Sequence, residues 1–292
     1  MAVRDAGGGG SARELARLCR EHHAYQWLCG GVPSNYHTLA DFRVAHSAVL
    51  ERLLTASVAT LMAAGVVELK RVAQDGMRVR ASAGAASFRR KPTLEQCLTE
   101  AEAQVAALRA EIHADPGAAT RREQAAQERA ARERRERVAA ALAQLPEVEA
   151  KKKAGDKAKA RASTTDPEAR VMKMADGGFR PAYNAQLATD TASQVIVGVA
   201  VTNQGTDQGQ MGPMVEQIAE RCGKVPAEHL ADGGFVAKDD MEQVSAGGTT
   251  VYLPVPEPRD PNRDPHCPLP EDSPVIAAWR VRMGTDEAKA IY

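Results

Sequence analysis

Residues 229–242 read HLADGGFVAKDDME, and this stretch decides the fold class. Residues 228–231 form a predicted short strand that ends at Asp232. Two glycines then let the chain turn sharply into a helix that begins near Lys238. Because a strand that passes through a tight turn into a helix is the repeating unit of α/β proteins, the sequence predicts an α/β fold.

The letters ADGGF also occur at residues 175–179, which raises the question of an internal repeat. Asp232 follows a predicted strand, whereas Asp176 precedes one and comes after a basic segment. The glycines predict a sharp turn in both copies. Since the two settings are opposite, the copies are not a structural repeat.

Further predicted strands and helices surround this stretch. Residues 66–76 alternate like a strand with both faces partly covered, and Asp75 lies at or near its end. Residues 194–202 are apolar on both faces, which predicts a central strand. The other elements are predicted strands at 182–189 and 249–255 and predicted helices at 208–222, 238–244 and from about Val275. Without the helical insertion described below, this order is that of a ribonuclease-H-like mixed sheet.

The amino-terminal part has a helical pattern instead. Residues 1–10 end in GGGG and predict disorder, whereas residues 11–64 predict a small helical unit. Thr38 followed by Asp41 resembles a capping box and predicts the start of a helix over about 38–45, with another over 47–63.

Residues 91–150 predict a helical hairpin inserted into the sheet domain. Apolar residues from Leu94 to Ile112 step by four and three, which is a heptad seam, and DPG at 115–117 breaks it. The seam could pair within the hairpin or between chains, so a homo-oligomer is one alternative. Residues 151–170 then predict a mobile basic linker, either simply solvated or in contact with phosphate.

The composition excludes some classes of function. The 38 basic and 38 acidic side chains among 292 residues cancel, so net charge alone indicates neither nucleic acid nor membrane. No run approaches the roughly 18 apolar residues of a membrane helix. The five cysteines are scattered without a CxxC pair, which favours a reducing cytoplasm and unrelated thiols.

Two aspartates at predicted strand ends are the candidate metal ligands. Strand ends hold side chains rigidly, and Asp75 and Asp232 both satisfy this condition. Two such carboxylates would repel unless a divalent cation lay between them. Magnesium suits the site, because it takes few carboxylates and leaves positions for water and phosphate oxygens. Asp176 fits less well, since its neighbours suit a phosphate backbone or structural hydrogen bonds.

Four long stretches of the chain resemble bacterial insertion-sequence transposases of the DDE type. These stretches are WLCGGVPSNYHTLADFR (27–43), VAQDGMRVRASA (72–83), STTDPEARVMKMADGGFRPAYNAQLATD (163–190) and HLADGGFVAKDDME (229–242). The resemblance runs from about residue 11 to the end of the chain. It implies a ribonuclease-H-like catalytic domain in which Asp75 is the first acid and Asp232 the second.

The resemblance implies a chemistry and a set of partners. Two Mg²⁺ (or Mn²⁺) ions would support cutting at the ends of the element, followed by attack of a freed 3′-hydroxyl on target DNA. The partners would be double-stranded DNA of the terminal inverted repeats and of the target, in the bacterial cytoplasm at the nucleoid and away from membranes. The predicted DNA-binding residues are Arg78, Arg80, Lys151, Lys152, Lys153, Lys173, Arg180 and Tyr183.

The resemblance departs from the family pattern near the carboxyl end. The family's third acid is a glutamate within a signature running tyrosine, arginine, glutamate, lysine. Residues 279–292 resemble the approach to that signature, and Glu287 precedes Tyr292 rather than following it, so the role is not assigned to Glu287. The family also usually has more sequence ahead of the equivalent of Ser11. We therefore expect a fragment without its third acid and with little strand transfer.

Two alternatives stay open beside an impaired transposase. One is a non-catalytic DNA-binding or transposition-regulating remnant, and the other is a metal-dependent nuclease of the same fold. The predicted domains are the helical unit at 11–64, which the resemblance implies binds DNA, a ribonuclease-H-like sheet domain split into 65–90 and 171–292 and expected to be incomplete at its carboxyl end, the hairpin at 91–150 and the linker at 151–170.

Overall fold

The computed structural model describes residues 11–114, 120–258, 260 and 262–291, without the side chains of residues 43 and 44. The predicted disorder at residues 1–10, the predicted break at 115–117 and Tyr292 lie outside these residues. The described residues form two compact units, divided between Val67 and Glu68. Within the described residues, no helix has the length and apolar character needed to cross a bilayer.

The first unit is helical. Ser11 caps the first helix, because its Oγ accepts the Glu14 amide hydrogen at 3.0 Å. Asn35 caps the third helix in the same way, with its Oδ1 2.9 Å from the amide nitrogen of His37. Thr38 and Asp41 therefore lie inside that helix, which begins earlier than predicted. The four helices are α1 (Ala12–Glu21), α2 (His23–Leu28), α3 (Tyr36–Ala45) and α4 (Ser47–Ala63).

Two of the scattered cysteines meet in this unit. The Sγ atoms of Cys19, in α1, and Cys29, just after α2, lie 3.2 Å apart. The chain reverses direction between the two helices, so residues ten positions apart become neighbours. The expectation of five unrelated thiols is wrong for this pair.

The second unit contains a mixed sheet of six strands and a separate pair of short strands. Its central strand, β1, pairs antiparallel with β5 on one side and parallel with β7 on the other. β8 extends the parallel half, and β4 and β6 both pair antiparallel with β5. The strands are β1 (Arg71–Arg80), β2 (Phe88–Arg89), β3 (Ala162–Ser163), β4 (Arg170–Lys173), β5 (Phe179–Asp190), β6 (Ile196–Thr202), β7 (Glu228–Leu230) and β8 (Thr250–Tyr252).

Helices connect and cover these strands. The hairpin helices α5 and α6 precede β3, and α7 and α8 follow β6 and β7. The buried side chains of α7, α8 and α9 form one apolar cluster with β8, and Phe235 and Trp279 lie within it. The helices are α5 (Lys91–Ala114), α6 (Arg121–Ala150), α7 (Met211–Cys222), α8 (Lys238–Ala246), α9 (Pro274–Met283) and α10 (Asp286–Ile291).

The first strand lies further along the chain than predicted. β1 spans Arg71–Arg80 rather than 66–76, and Leu69 just before it has a φ of 53°, which strand geometry excludes. β5 pairs with β1 from Val72 to Arg80, and this pairing carries the strand through Gly76. Asp75 therefore lies in the middle of β1, and its predicted position at the strand end is wrong.

The prediction that 194–202 forms a central strand is also wrong. β6 pairs with β5 alone among the described strands, so it lies at an edge of the sheet. Val197 is buried, whereas Val201, near the end of the strand, is 67 % exposed.

The heptad seam pairs within the chain. Leu94, Ala101 and Val105 of α5 are buried, as are Val138 and Leu145 of α6. Gln104 Oε1 accepts a hydrogen bond from Arg134 at 3.0 Å, which joins the two helices directly. The seam therefore pairs within the hairpin, which is one of the two arrangements that the heptad pattern left open.

The basic segment after the hairpin is folded along part of its length. Residues Ala154–Lys159 form a 3₁₀ helix, and β3 pairs with β2. Ala160, Ala162 and Ala169 are buried, because these small side chains fit closely against the structure around them. This differs from the predicted mobile linker.

Candidate active site

The two predicted acids follow the paired segments of two neighbouring parallel strands. The last aligned pair of β1 and β7 is Ala73 with Leu230. Asp75 and Asp232 each follow this pair by two residues. Asp75 therefore lies within β1, and Asp232 lies just beyond the end of the neighbouring strand β7. That the two form a shared site stays a prediction.

The sheet opens at this level. β7 ends at Leu230, whereas β1 continues to Arg80 and pairs with β5 alone over that length. The edge of β1 beyond Ala73 is therefore free of a strand neighbour on the β7 side. Asp75 is exposed there, and its Oδ1 accepts the amide hydrogen of Gly76 at 2.7 Å.

Asp232 is exposed and begins a tight turn. Its Oδ1 accepts the Gly234 amide hydrogen at 2.8 Å, which starts the 3₁₀ turn Gly233–Phe235. Phe235 is fully buried in the apolar cluster and anchors the turn. The second oxygen of Asp232 has no hydrogen bond among the described residues, so it is available to a ligand.

The structure adds a third aspartate that the sequence reasoning missed. Asp207 follows β6, and its carboxylate approaches both glycines beside the predicted acids. A β-carbon at Gly76 would stand 2.1 Å from Asp207 Oδ1, and one at Gly234 would stand 3.6 Å from Asp207 Oδ2. A glycine inside a strand often marks such a close approach, and Gly76 was therefore the available signal.

Four hydrogen bonds hold the Asp207 carboxylate. Arg78 donates from Nη1 to Oδ1 at 3.1 Å and from Nη2 to Oδ2 at 3.0 Å. Asn184 and Gln186 each donate to Oδ1 at 2.7 Å. Burial raises the pKa of Asp207, but these hydrogen bonds and the charge of Arg78 outweigh it, so the pKa of the carboxyl lies below its usual value.

A chain of buried side chains continues from Asp207 across the sheet. Gln186 Oε1 accepts a hydrogen bond from Gln74 at 2.8 Å, and Gln74 Oε1 lies 3.0 Å from Nε2 of His229. These side chains belong to β5, β1 and β7, so the network spans the strands that carry the acids. Burial lowers the pKa of His229 to about 4, and the imidazole is therefore neutral at pH 7.

Asp176, in the other ADGGF copy, has a structural role. It lies at the tip of the β4–β5 hairpin, and β4 is a strand that the sequence reasoning missed. Its carboxylate accepts the Gly178 amide hydrogen at 3.0 Å and pairs with Arg180 at 2.6 Å. Phe179 beside it is 70 % exposed, whereas its counterpart Phe235 is buried.

Three of the predicted DNA-binding residues are held by contacts within the protein. Arg78 binds Asp207, Arg180 binds Asp176, and Tyr183 donates its hydroxyl hydrogen to Asp166 at 2.5 Å. Burial and the Asp166 hydrogen bond raise the pKa of Tyr183. These residues are already engaged in structural contacts.

The remaining predicted DNA-binding residues lie at the surface. Lys151 pairs with Glu147 at 2.8 Å, and Lys152 is half-buried. The side chains of Arg80, Lys153 and Lys173 are exposed. These three exposed side chains can approach a ligand without first leaving a buried position.

Two surface depressions share Gly205 as a lining residue. One of about 680 Å³ is lined by Gly76, Arg78, Lys173, Gly205 and Asp207, among others. The second, of about 310 Å³, also reaches Gly205 and is lined by Lys151, Lys152 and Arg170. Together they make a continuous path from the base of the hairpin to β1.

The donor set fits a hard cation only in part. Asp75 and Asp232 offer carboxylate oxygens, and magnesium is commonly held by one or two carboxylates with water and phosphate in its other positions. Within the described parts of the chain, no group of three or more metal-binding side chains is found.

No protein-family model matches this chain, and neither the curated proteins nor the solved structures provide a significant match.

Proposed function

We propose that this chain is a DNA transposase of an insertion sequence, of the DDE type, in which Asp75 and Asp232 hold Mg²⁺ or Mn²⁺ at DNA ends. The observation that carries the proposal is the parallel pairing of β1 and β7, in which Ala73 is aligned with Leu230, two residues before Asp75 and two residues before Asp232. Asp75 lies within β1, and Asp232 begins the turn that follows β7, so ordered backbone holds both carboxylates, as metal-assisted phosphoryl transfer requires.

The sheet topology supports a ribonuclease-H-like domain. β1, β5 and β6 form the antiparallel half, with β5 in the middle, and β7 and β8 continue in parallel beyond β1. A helix lies between β6 and β7 and another between β7 and β8. The helical hairpin falls between β1 and β5, where the sequence predicts the insertion.

The residues of the chain would divide the work between binding and orientation. Asp75 and Asp232 would hold the cation, which, when bound, supplies charge stabilisation to the phosphate and a more acidic water or hydroxyl. Lys173, Lys151 and Lys152 line the joined depressions and would contact the DNA backbone. Arg78 would act inside the protein by holding Asp207.

A site of these two carboxylates alone is expected to bind metal weakly. Two carboxylates supply fewer ligands and less attraction for a divalent ion than a larger set would. We therefore expect little strand transfer from this chain, even where cation and DNA both bind.

The experiment measures cation binding and DNA cleavage separately. The parent, Asp75→Asn and Asp232→Asn are titrated with Mn²⁺ by calorimetry, then incubated with DNA that flanks the chain's own gene. Asp176→Asn is the matched control, because Asp176 is the aspartate of the other ADGGF segment. We expect both site variants to lose Mn²⁺ binding while the control binds like the parent.

Mn²⁺ binding that survives both site substitutions would contradict the proposal. Efficient cleavage of unrelated DNA, without joining of ends, would favour the metal-dependent nuclease instead. Robust joining of ends by the parent would contradict the expectation of impaired strand transfer.

The second candidate is a non-catalytic DNA-binding or transposition-regulating protein. The exposed lysines along the joined depressions favour it, because their contacts with phosphate need no metal. A salt-dependent gel-shift assay separates the candidates. DNA binding that Asp75→Asn and Asp232→Asn leave unchanged, together with no cleavage by the parent, supports this candidate.

A further inference from the structure

The Asp207 carboxylate approaches two glycines that lie close in sequence to the predicted acids. Its Oδ1 lies against Gly76, next to Asp75, and its Oδ2 is directed toward Gly234, two residues after Asp232. The position that a β-carbon would occupy at Gly234 lies 3.0 Å from Asp232 Oδ1 and 3.6 Å from Asp207 Oδ2. The carboxylates of Asp207 and Asp232 therefore share the space above this glycine.

The surroundings of Asp207 require a charged carboxylate. Its Oδ1 accepts three N–H groups, from Arg78, Asn184 and Gln186. An asparagine here would replace one of the two carboxylate oxygens with an NH₂ group. That group cannot accept a hydrogen bond, and it would face N–H groups that also need an acceptor. The environment thus keeps a full negative charge fixed beside the candidate site.

Arg78 balances that charge from the far side. The Arg78 and Asp207 side chains are 17 % and 15 % exposed, so solvent screens their interaction less than it screens a surface pair. Arg78 also donates to Asn184 Oδ1 at 2.8 Å and to the Gly205 carbonyl at 3.2 Å, which orients the guanidinium. The pair therefore contributes a nearly neutral but oriented charge distribution, with its negative end toward Gly76 and Gly234.

We propose that Asp207 is a positioning residue of the candidate site: its fixed carboxylate beside Gly76 and Gly234, with Arg78 as its counter-charge, sets the affinity of Asp75 and Asp232 for a divalent cation. The inference rests on the proposed function, because it assumes that Asp75 and Asp232 bind the cation. Asp207 itself stays bound to its four donors.

Variants that change one charge at a time separate this role from a purely structural one. Asp207→Asn leaves Arg78 without its counter-charge and should weaken the binding of Mn²⁺ about tenfold. Arg78→Gln leaves Asp207 without its counter-charge and should strengthen Mn²⁺ binding by a similar factor. The double variant carries neither charge and should return toward the affinity of the parent.

The measurement is calorimetric titration of the full chain with Mn²⁺ alone, with the midpoint of thermal unfolding recorded in EDTA for every variant. A purely structural role would weaken Mn²⁺ binding in both single variants, in proportion to their loss of stability, and would overturn the proposal. An unchanged affinity in Asp207→Asn would overturn it as well. If Asp207→Asn does not fold, the Mn²⁺ affinities of Arg78→Gln and of the double variant provide the test. Stronger binding in Arg78→Gln that returns toward the parent in the double variant supports the proposal, and weaker binding in Arg78→Gln overturns it.

The failure of this inference is distinguishable from failure of the proposed function. If the parent binds no Mn²⁺, or binds it equally after Asp75→Asn and Asp232→Asn, the proposed function fails and the inference fails with it. If those two variants lose Mn²⁺ while the Asp207 and Arg78 variants bind like the parent, only the inference is overturned.

Discussion

Asp207 Oδ1 lies 2.1 Å from the position that a β-carbon would occupy at Gly76. Gln186 Nε2 lies 2.5 Å from the same position, so two side chains of the buried network close over this strand residue. Gly76 has no positive φ, and steric space alone explains the glycine. A side chain at residue 76 would therefore fit only if Asp207 and Gln186 moved.

Gly76→Ala is expected to destabilise the protein by about 1–3 kcal/mol, because the added methyl group must displace Asp207 or Gln186. Urea unfolding of the parent and the variant measures the difference. Gly205→Ala is the control, since the nearest atom to its added carbon is Met172 Cγ at 3.9 Å. Equal stability of Gly76→Ala and the parent would contradict the packing described here.

Phe235→Ala and Phe179→Ala should differ sharply, although both remove the phenylalanine of an ADGGF segment. Phe235 is fully buried, and its loss is expected to cost about 3–5 kcal/mol. Phe179 is 70 % exposed, and its loss should stay within about 0.5 kcal/mol. Denaturant midpoints of the two variants provide the comparison, and similar midpoints would show that the two segments are packed alike.

His229 should make the protein less stable as the pH falls from about 6.5 to about 4. Its pKa is lowered from 6.5 to about 4 by burial, so the unfolded chain binds a proton first and is favoured on acidification. The loss attributable to this residue approaches about 3 kcal/mol at the acidic end.

Urea midpoints measured at steps of pH for the parent and for His229→Gln isolate this contribution. Glutamine cannot titrate in this range and keeps a donor for Gln74. The free energy of unfolding of the parent should fall more steeply with acid than that of the variant. Parallel curves would mean that folding leaves the pKa of His229 unchanged and would contradict the prediction.

Replacing Lys151, Lys152 and Lys153 by glutamine in one variant should weaken DNA binding and make it less dependent on salt. Each lost phosphate contact lowers the slope of log K against log salt by about 0.9. Lys151 already pairs with Glu147, so a reduction of about two is expected rather than three. Binding is measured by fluorescence anisotropy from low to moderate salt.

Lys159→Gln is the control for the lysine variant. Lys159 belongs to the same segment but pairs with Asp156 at 2.8 Å, away from the residues that line the joined depressions. Its slope should match that of the parent. An equal loss in the control and the triple variant would assign the effect to general charge rather than to the surface path.

Local patterns predicted much of the secondary structure. The helices at α4 and α8, the strand at β7 and the long hairpin all follow from periodicity and from turn residues that act within a few positions. The strand ends were less predictable. β1 reaches Arg80 because β5 pairs with it, and β5 lies about a hundred residues further along the chain.

The candidate site divides in the same way. Asp75 and Asp232 could be proposed from the sequence because each stands beside glycine in a strand-like setting. Asp207 could not, since it lies in a loop and gains its place only through Arg78, Asn184 and Gln186 on two strands. The same contacts give Arg78 an internal partner, which its basic character alone does not indicate.

The sequence by itself determined the α/β class, the hairpin and two of the acidic positions, because these depend on residue types at short spacings. Only the tertiary structure decided that β6 lies at an edge, that the heptad seam closes within the chain, and that Asp207 lies beside Gly76 and Gly234. Strand register and side-chain packing join residues far apart in the chain, and no local pattern encodes which distant partner a strand or a carboxylate will meet.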